Sequence, residues 1–127
     1  FRILVDERFP DKTSYHVTKL VDYRDYVLAS ADADIIVEIN QSGQAGVTLR
    51  TLEAAYFGKK LITNNKSVRE LSFYNPCNVY VLDEFQALSV EALMGFLDSG
   101  IEPVSSSAVY EYSPEYMLET LLQRHGR

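Results

Sequence analysis

Ile35, Ile36, Val37 and Ile39 form a nearly continuous apolar run interrupted only by Glu38. A strand with one face in water would alternate apolar and polar residues, so this run belongs to a strand covered on both faces. The segment NQSGQAG follows, with Gly43 and Gly46, and then VTLRTLEAAYF, a helix from about Val47. Gly58 stands where that helix needs a left-handed stop, and Leu61-Ile62 begins a second short buried strand. Residues 33–65 therefore read as a βαβ unit with a small glycine-bearing loop at the carboxyl end of its first strand. Open α/β sheets place their ligands at such loops.

The flanking sequence extends the same alternation. Phe1 to Val5 is a strand candidate, and Asp6 to Ser14, with Pro10, is a surface connection. That connection is too short for the crossover of roughly ten residues or more that a parallel return needs, so the place of the first strand stays open. Tyr15 to Lys19 is a further strand candidate. Asp22 and Asp25 supply an N-cap and an acidic first turn to a helix carrying Tyr23, Tyr26 and Val27 inward. Ser67 to Phe73 reads as a short helix ending before Asn75-Pro76, and Val79 to Leu82 as another buried strand. Phe85, Leu88, Leu93, Phe96 and Leu97 recur at near-helical spacing, with Ser89 as N-cap and Gly100 as stop, and the serines at 105–107 read as loop. Ser113 as N-cap, Pro114 at the first helical position and Glu115 beside the positive end open a last helix, with Met117, Leu118, Leu121 and Leu122 as its apolar stripe. Strands alternating with helices mean the α/β class with a mostly parallel sheet.

The chain has 127 residues, 46% of them apolar, which is enough for one domain with a real core. It begins at Phe1 and enters a strand at once, so we expect a piece of a longer chain. A formal charge of −6 makes nucleic acid a poor partner. No run approaches the roughly 20 apolar residues of a membrane span. A single cysteine, Cys77, excludes an internal disulfide and, with only His16 and His125 beside it, points to no metal site. A reducing, cytoplasmic setting is expected, and no cofactor.

On the central helix, Leu49, Leu52, Ala55 and Tyr56 fall on one face, leaving Thr48, Arg50, Thr51 and Glu53 on the more polar side. Arg50, in the first turn, opposes the helix dipole at a cost of roughly 0.3–1 kcal/mol, which an anion docked there would turn into attraction. Gly43 and Gly46 let the backbone approach such a ligand, Thr48 offers a hydroxyl, and the first N–H groups complete a phosphate cradle. Glu53, one turn on, can accept hydrogen bonds from a vicinal diol such as a ribose. The plainer reading is that Arg50 and Glu53 pair at i, i+3, and that two glycines simply serve a turn. For the other candidates a structural role outweighs a chemical one. His16 reads as a strand residue, His125 as part of a tail, Cys77 as packing or capping a turn, and Lys59-Lys60 as helix-dipole caps, with one of them able to face a phosphate.

The run from Glu38 to Leu82, and most specifically Gly43 to Asn65, resembles the carboxy-terminal half of bacterial GT-B glycosyltransferases that build lipopolysaccharide and capsular or exopolysaccharide. The resemblance covers about residues 20–124 and is carried by Gly46, Thr48, Glu53-Ala54 and Gly58-Lys59. It implies a Rossmann-like three-layer αβα domain, one half of a GT-B fold. It also implies a nucleoside-diphosphate sugar as ligand, with an amino-terminal acceptor domain completing the cleft. Carried over, Glu53 matches the second glutamate of the Glu-x7-Glu signature and would bind the ribose hydroxyls. The first glutamate falls at Ala45, a departure from the pattern, with Gln44 or Gln41 as the neutral hydrogen-bonding substitute for the sugar. Gly46, Val47 and Thr48 match positions whose backbone meets the diphosphate, and Lys19 to Asp22 match where the base rests. The implied reaction is glycosyl transfer with the leaving-group charge held by the helix amino terminus and Arg50 rather than by a metal. No catalytic residue is assigned to this half. The full-length enzyme would be cytoplasmic, with peripheral membrane association. Two rivals share the fold: a sugar-nucleotide 2-epimerase, which needs no acceptor, and a non-catalytic interaction domain.

Overall fold

The structure, a computed structural model, describes residues 3–5, 22–41, 43–83 and 88–126. Four strands, β1 (Ile3–Val5), β2 (Ile35–Glu38), β3 (Lys60–Thr63) and β4 (Val79–Val81), form one all-parallel sheet in the order β1-β2-β3-β4. The class expected from the alternation of strands and helices is the one observed, α/β with helices on both faces of a parallel sheet, compatible with a Rossmann-like αβα fold. The first strand, left open above, lies at the edge beside β2, with Ile3 opposite Ile35. The strand candidate at 15–19 and the connection at 6–14 lie outside the described residues.

Pleating sorts the side chains into two layers. Ile36, Leu61 and Val79 are in register across three strands and share one face, where Ala54 of α2 (Leu49–Tyr56) and Val68 of a short 3-10 helix (Lys66–Glu70) cover them. Ile36, Leu61 and Val68 are at most 1% exposed, the heart of the core. α1 (Tyr23–Asp32) runs beside α2 on this face, since the guanidinium of Arg50 lies 4.2 Å from the Tyr26 ring. On the opposite face α3 (Val90–Asp98) sets Phe96 against Tyr80, ring centroids 5.5 Å apart.

Helix ends follow the expected chemistry. Asp22 caps α1 through the Arg24 N–H at 2.8 Å, Ser89 caps α3 and Ser113 caps α5 (Pro114–His125). Gly58, at φ +62°, ends α2 in a left-handed turn, with the Lys59 N–H bonded to Ala54 O and the Gly58 N–H to Ala55 O, as a Schellman motif requires.

Four expectations need correction. The serines read as loop open a helix, α4 (Ser106–Tyr110), which packs against α2; tertiary contact outweighs the weak propensity of serine. Tyr23, expected inward, is 63% exposed. The stripe on α5 points to solvent throughout, Met117 at 61% and Leu118 at 57% exposed, while the apolar face of the sheet is already covered by Ala54 and Val68. Lys60 caps a helix, but it is α3 rather than α2. Its side chain leaves β3 on the α3 face and its ammonium donates to Phe96 O, to Ser99 Oγ at 2.8 Å and to Cys77 O at 3.3 Å, so it cannot face a phosphate at the glycine loop. Burial holds its pKa below the ordinary lysine value, offset in part by Cys77 and Asp98. Among the described residues no helix is long and apolar enough to cross a membrane.

Candidate functional site

The glycine loop leaves the carboxyl end of β2 and is pinned at both sides. Asn40 and Asn64 exchange two hydrogen bonds of 2.8 Å, Asn40 N–H to Asn64 Oδ1 and Asn64 Nδ2 to Asn40 O. Asn65 Nδ2 donates to Gly46 O at 2.7 Å. Between these ties the Gln44 N–H turns back onto Gln41 O at 3.2 Å, and Gln44, Ala45, Gly46 and Val47 are exposed. Gly43 and Gly46 sit at φ +91° and +109°, backbone that only glycine adopts without strain. A Cβ at Gly46 would meet nothing within 4 Å, so its requirement is purely conformational. Gly46→Ala is expected to destabilise the chain by about 1–3 kcal/mol, whereas Gly95→Ala on α3, also in open space, should stabilise by about 0.5–1 kcal/mol. Urea unfolding of the two variants checks this; equal shifts would contradict it.

The helix begins at Leu49 rather than at Val47, with Thr48 as its N-cap. The Thr48 hydroxyl accepts the Thr51 N–H at 3.3 Å and donates to Glu38 Oε1, so its hydrogen faces the sheet and not the loop mouth. Which face of α2 is buried also reverses the expectation. Thr51, Glu53 and Ala54 are buried, while Leu49 is 55% and Tyr56 72% exposed. The cause is Glu38: an acid buried in the central strand draws the hydroxyl-bearing side of α2 onto the sheet and turns the leucines outward.

Outward, those apolar residues line an open cleft of about 270 Å³ between α1, α2 and the α4–α5 junction. Val27, Leu52 and Tyr112 contribute to its walls, and Glu53 is the carboxylate among them. Glu53 is only 7% exposed, and neither carboxylate oxygen has a hydrogen-bond partner among the described residues. Burial lifts its pKa above the ordinary glutamate value, and the nearby charge of Arg50 works against that rise. Arg50, half-buried, extends over Tyr26 at the side of the cleft.

The sequence-derived candidates thus fall into two neighbouring groups. Gln44, Gly46, Val47 and Thr48 form the loop and cap at the strand end. Arg50 and Glu53 lie further along α2, Glu53 about 7.5 Å along the axis from the cap at 1.5 Å of rise per residue. The residues that escaped the sequence reading are Thr63 and Asn65, which anchor the loop, and Tyr112, which arrives from the far end of the chain. Glu38 itself carried a signal, the single charge inside a buried run. The metal-free expectation supposes that the chain has no Asp-x-Asp pair, and this is corrected: Asp32 and Asp34 form one, both exposed where α1 passes into β2, at the end of the strand opposite the glycine loop. Comparison of the chain with family models, with curated proteins and with solved structures gives no match.

Proposed function

We propose that this chain is the donor-binding domain of a bacterial GT-B glycosyltransferase and binds a nucleoside-diphosphate sugar for transfer to a growing surface polysaccharide or lipopolysaccharide. The observation that carries the reading is Glu53. A buried carboxylate whose two oxygens are unpaired among the described residues is costly to keep, roughly 1–3 kcal/mol, unless a ligand supplies donors. The vicinal hydroxyls of a ribose supply two, and the apolar cleft around Glu53 suits the nucleoside body. The diphosphate would then extend toward the amino end of α2, where the exposed backbone of Gly46 and Val47 and the dipole of the helix favour negative charge. Arg50 supplies the cation on the same side, and leaving-group charge would be stabilised by these fixed groups. The acceptor site and the catalytic base belong, in this reading, to the amino-terminal domain.

Calorimetric titration of the chain with UDP, GDP, CDP and ADP tests the reading. Saturable binding of one of them is expected, and it names the donor class. Arg50→Ala should weaken that diphosphate several-fold and leave the parent nucleoside nearly unaffected; equal loss for both would contradict a phosphate role. Heat with none of the four, in the full-length chain as well, would sink the nucleotide-sugar reading and favour an interaction domain.

A further inference from the structure

The acid beneath the glycine loop, Glu38, is buried and presents no surface to a ligand. Glu38 is 3% exposed at the carboxyl end of β2, and its two oxygens take three hydroxyl donors, two from the amino end of α2 and one from the end of β3. Thr48, the N-cap of α2, donates to Oε1; Thr51, on the first turn, donates to Oε2 at 3.2 Å; Thr63, at the end of β3, donates to Oε2 at 3.1 Å. Two of these hydroxyls are acceptors at the same time, Thr48 for the Thr51 N–H at 3.3 Å and Thr63 for the Asn65 N–H at 3.0 Å. A threonine hydroxyl has one hydrogen, so giving it to Glu38 turns the lone pairs toward those N–H groups. Asn65, oriented in this way, holds Gly46 O through its side-chain amide. The loop is therefore gripped on one side through Thr63 and Asn65 and on the other through Thr48, and both grips start at Glu38.

We infer that Glu38 is a positioning residue of the nucleotide-sugar site: it sets where the backbone of Gly46, Val47 and Thr48 is presented to the diphosphate. The inference rests on the nucleotide-sugar reading above. Only an acceptor-only group serves all three hydroxyls. Glutamine, its neutral isostere, has one acceptor oxygen and an NH2 group, so at least one threonine must turn its hydrogen away, which reorients the lone pairs that hold its backbone partner. A rival role makes the opposite prediction. As a negative charge beneath the α2 amino terminus, Glu38 would repel a diphosphate, and removing it would tighten binding.

Glu38→Gln and Thr63→Val separate the two, since the second breaks the same grip without altering charge. In Glu38→Gln the backbone amides of Thr51 and Asn65, and in Thr63→Val that of Asn65, should exchange with solvent about tenfold faster, with those of Leu61 and Ile62 unchanged. Whichever of UDP, GDP, CDP and ADP the wild type binds should lose about tenfold in affinity, while its nucleoside stays within about twofold. Tighter diphosphate binding by Glu38→Gln would overturn the inference in favour of the rival role. Equal losses for nucleoside and diphosphate would overturn it in favour of a purely structural one, and so would unchanged exchange at both amides. If the wild type binds none of the four, the nucleotide reading fails, and the exchange rates alone decide whether Glu38 governs the loop.

Discussion

Replacing Glu53 with glutamine should make the ligand-free chain more stable at pH 8, by about 1–2 kcal/mol, and at the same time impair its binding of ribonucleotides. The stability gain follows from burial: the wild-type carboxylate is held away from water with neither oxygen hydrogen-bonded among the described residues, and the amide is far cheaper to bury. Its pH dependence has a definite sign. Burial raises the folded-state pKa of Glu53 above 4.5, so the wild type enjoys the full benefit of a neutral Glu53 below that value and loses it as pH rises through the folded value. Urea unfolding should thus show variant and wild type nearly equal at pH 4 and separated at pH 8. A variant no more stable at pH 8 would mean that the carboxylate is satisfied in solution. On the binding side, hydrogen bonds from hydroxyls to an ionised carboxylate contribute about 1.5–3 kcal/mol, so Glu53→Gln should weaken ribonucleoside diphosphates about tenfold or more. Their 2′,3′-dideoxy analogues should be nearly unaffected, and an identical loss for both would remove the ribose assignment. Wild-type ribonucleotide affinity should also fall as pH drops through the raised pKa, because the protonated acid presents fewer acceptor sites.

Leu61→Ala is expected to cost about 2–5 kcal/mol, a large part of the stability of a domain this size, whereas Leu118→Ala should change it by less than about 0.5 kcal/mol. Both are leucines in regular, apolar-patterned elements, and only their surroundings differ. Leu61 is 1% exposed, in register between Ile36 and Val79 and roofed by Ala54 and Val68, so its removal leaves a cavity that the rigid sheet cannot close. Leu118 is 57% exposed on α5, so its truncation removes little packing. Denaturant midpoints of the two variants check the contrast. A cost at Leu118 close to that at Leu61 would show the α5 stripe to be packed against something in solution.

These leucines mark where sequence reasoning succeeds and where it stops. The apolar run at 35–39, the glycine at 58 and the serine and proline at 113–114 act within a few residues of themselves, through strand pairing, a left-handed stop and an N-cap. Each of those elements is found where its local chemistry puts it. The α5 stripe obeys the same local rule, but whether an apolar face is covered depends on what lies opposite it. The α2 helix makes the point more sharply. Its periodicity predicts the leucine side buried, and the threonine and glutamate side is buried instead, because Glu38 offers acceptors to Thr48 and Thr51 that water would otherwise supply.

The candidate site divides along the same line. The loop glycines, Thr48 and the pair Arg50 and Glu53 were legible as candidates because they lie within eleven residues of one another, Gly43 to Glu53, on one strand-loop-helix unit; that Thr48 is the cap came from the structure. The anchors Thr63 and Asn65 and the cleft wall Tyr112 were not, since no spacing along the chain announces that they converge. By itself the sequence determined the class of fold, the central strand-loop-helix-strand unit and the caps at Asp22, Ser89 and Ser113, because backbone hydrogen bonding and steric preference are decided locally. Only the tertiary structure decided which side of α2 is buried, which helix Lys60 caps, and that Glu53 stands at the wall of a cleft with no donor among the described residues. Burial and desolvation belong to no residue alone; they depend on everything the fold brings near it.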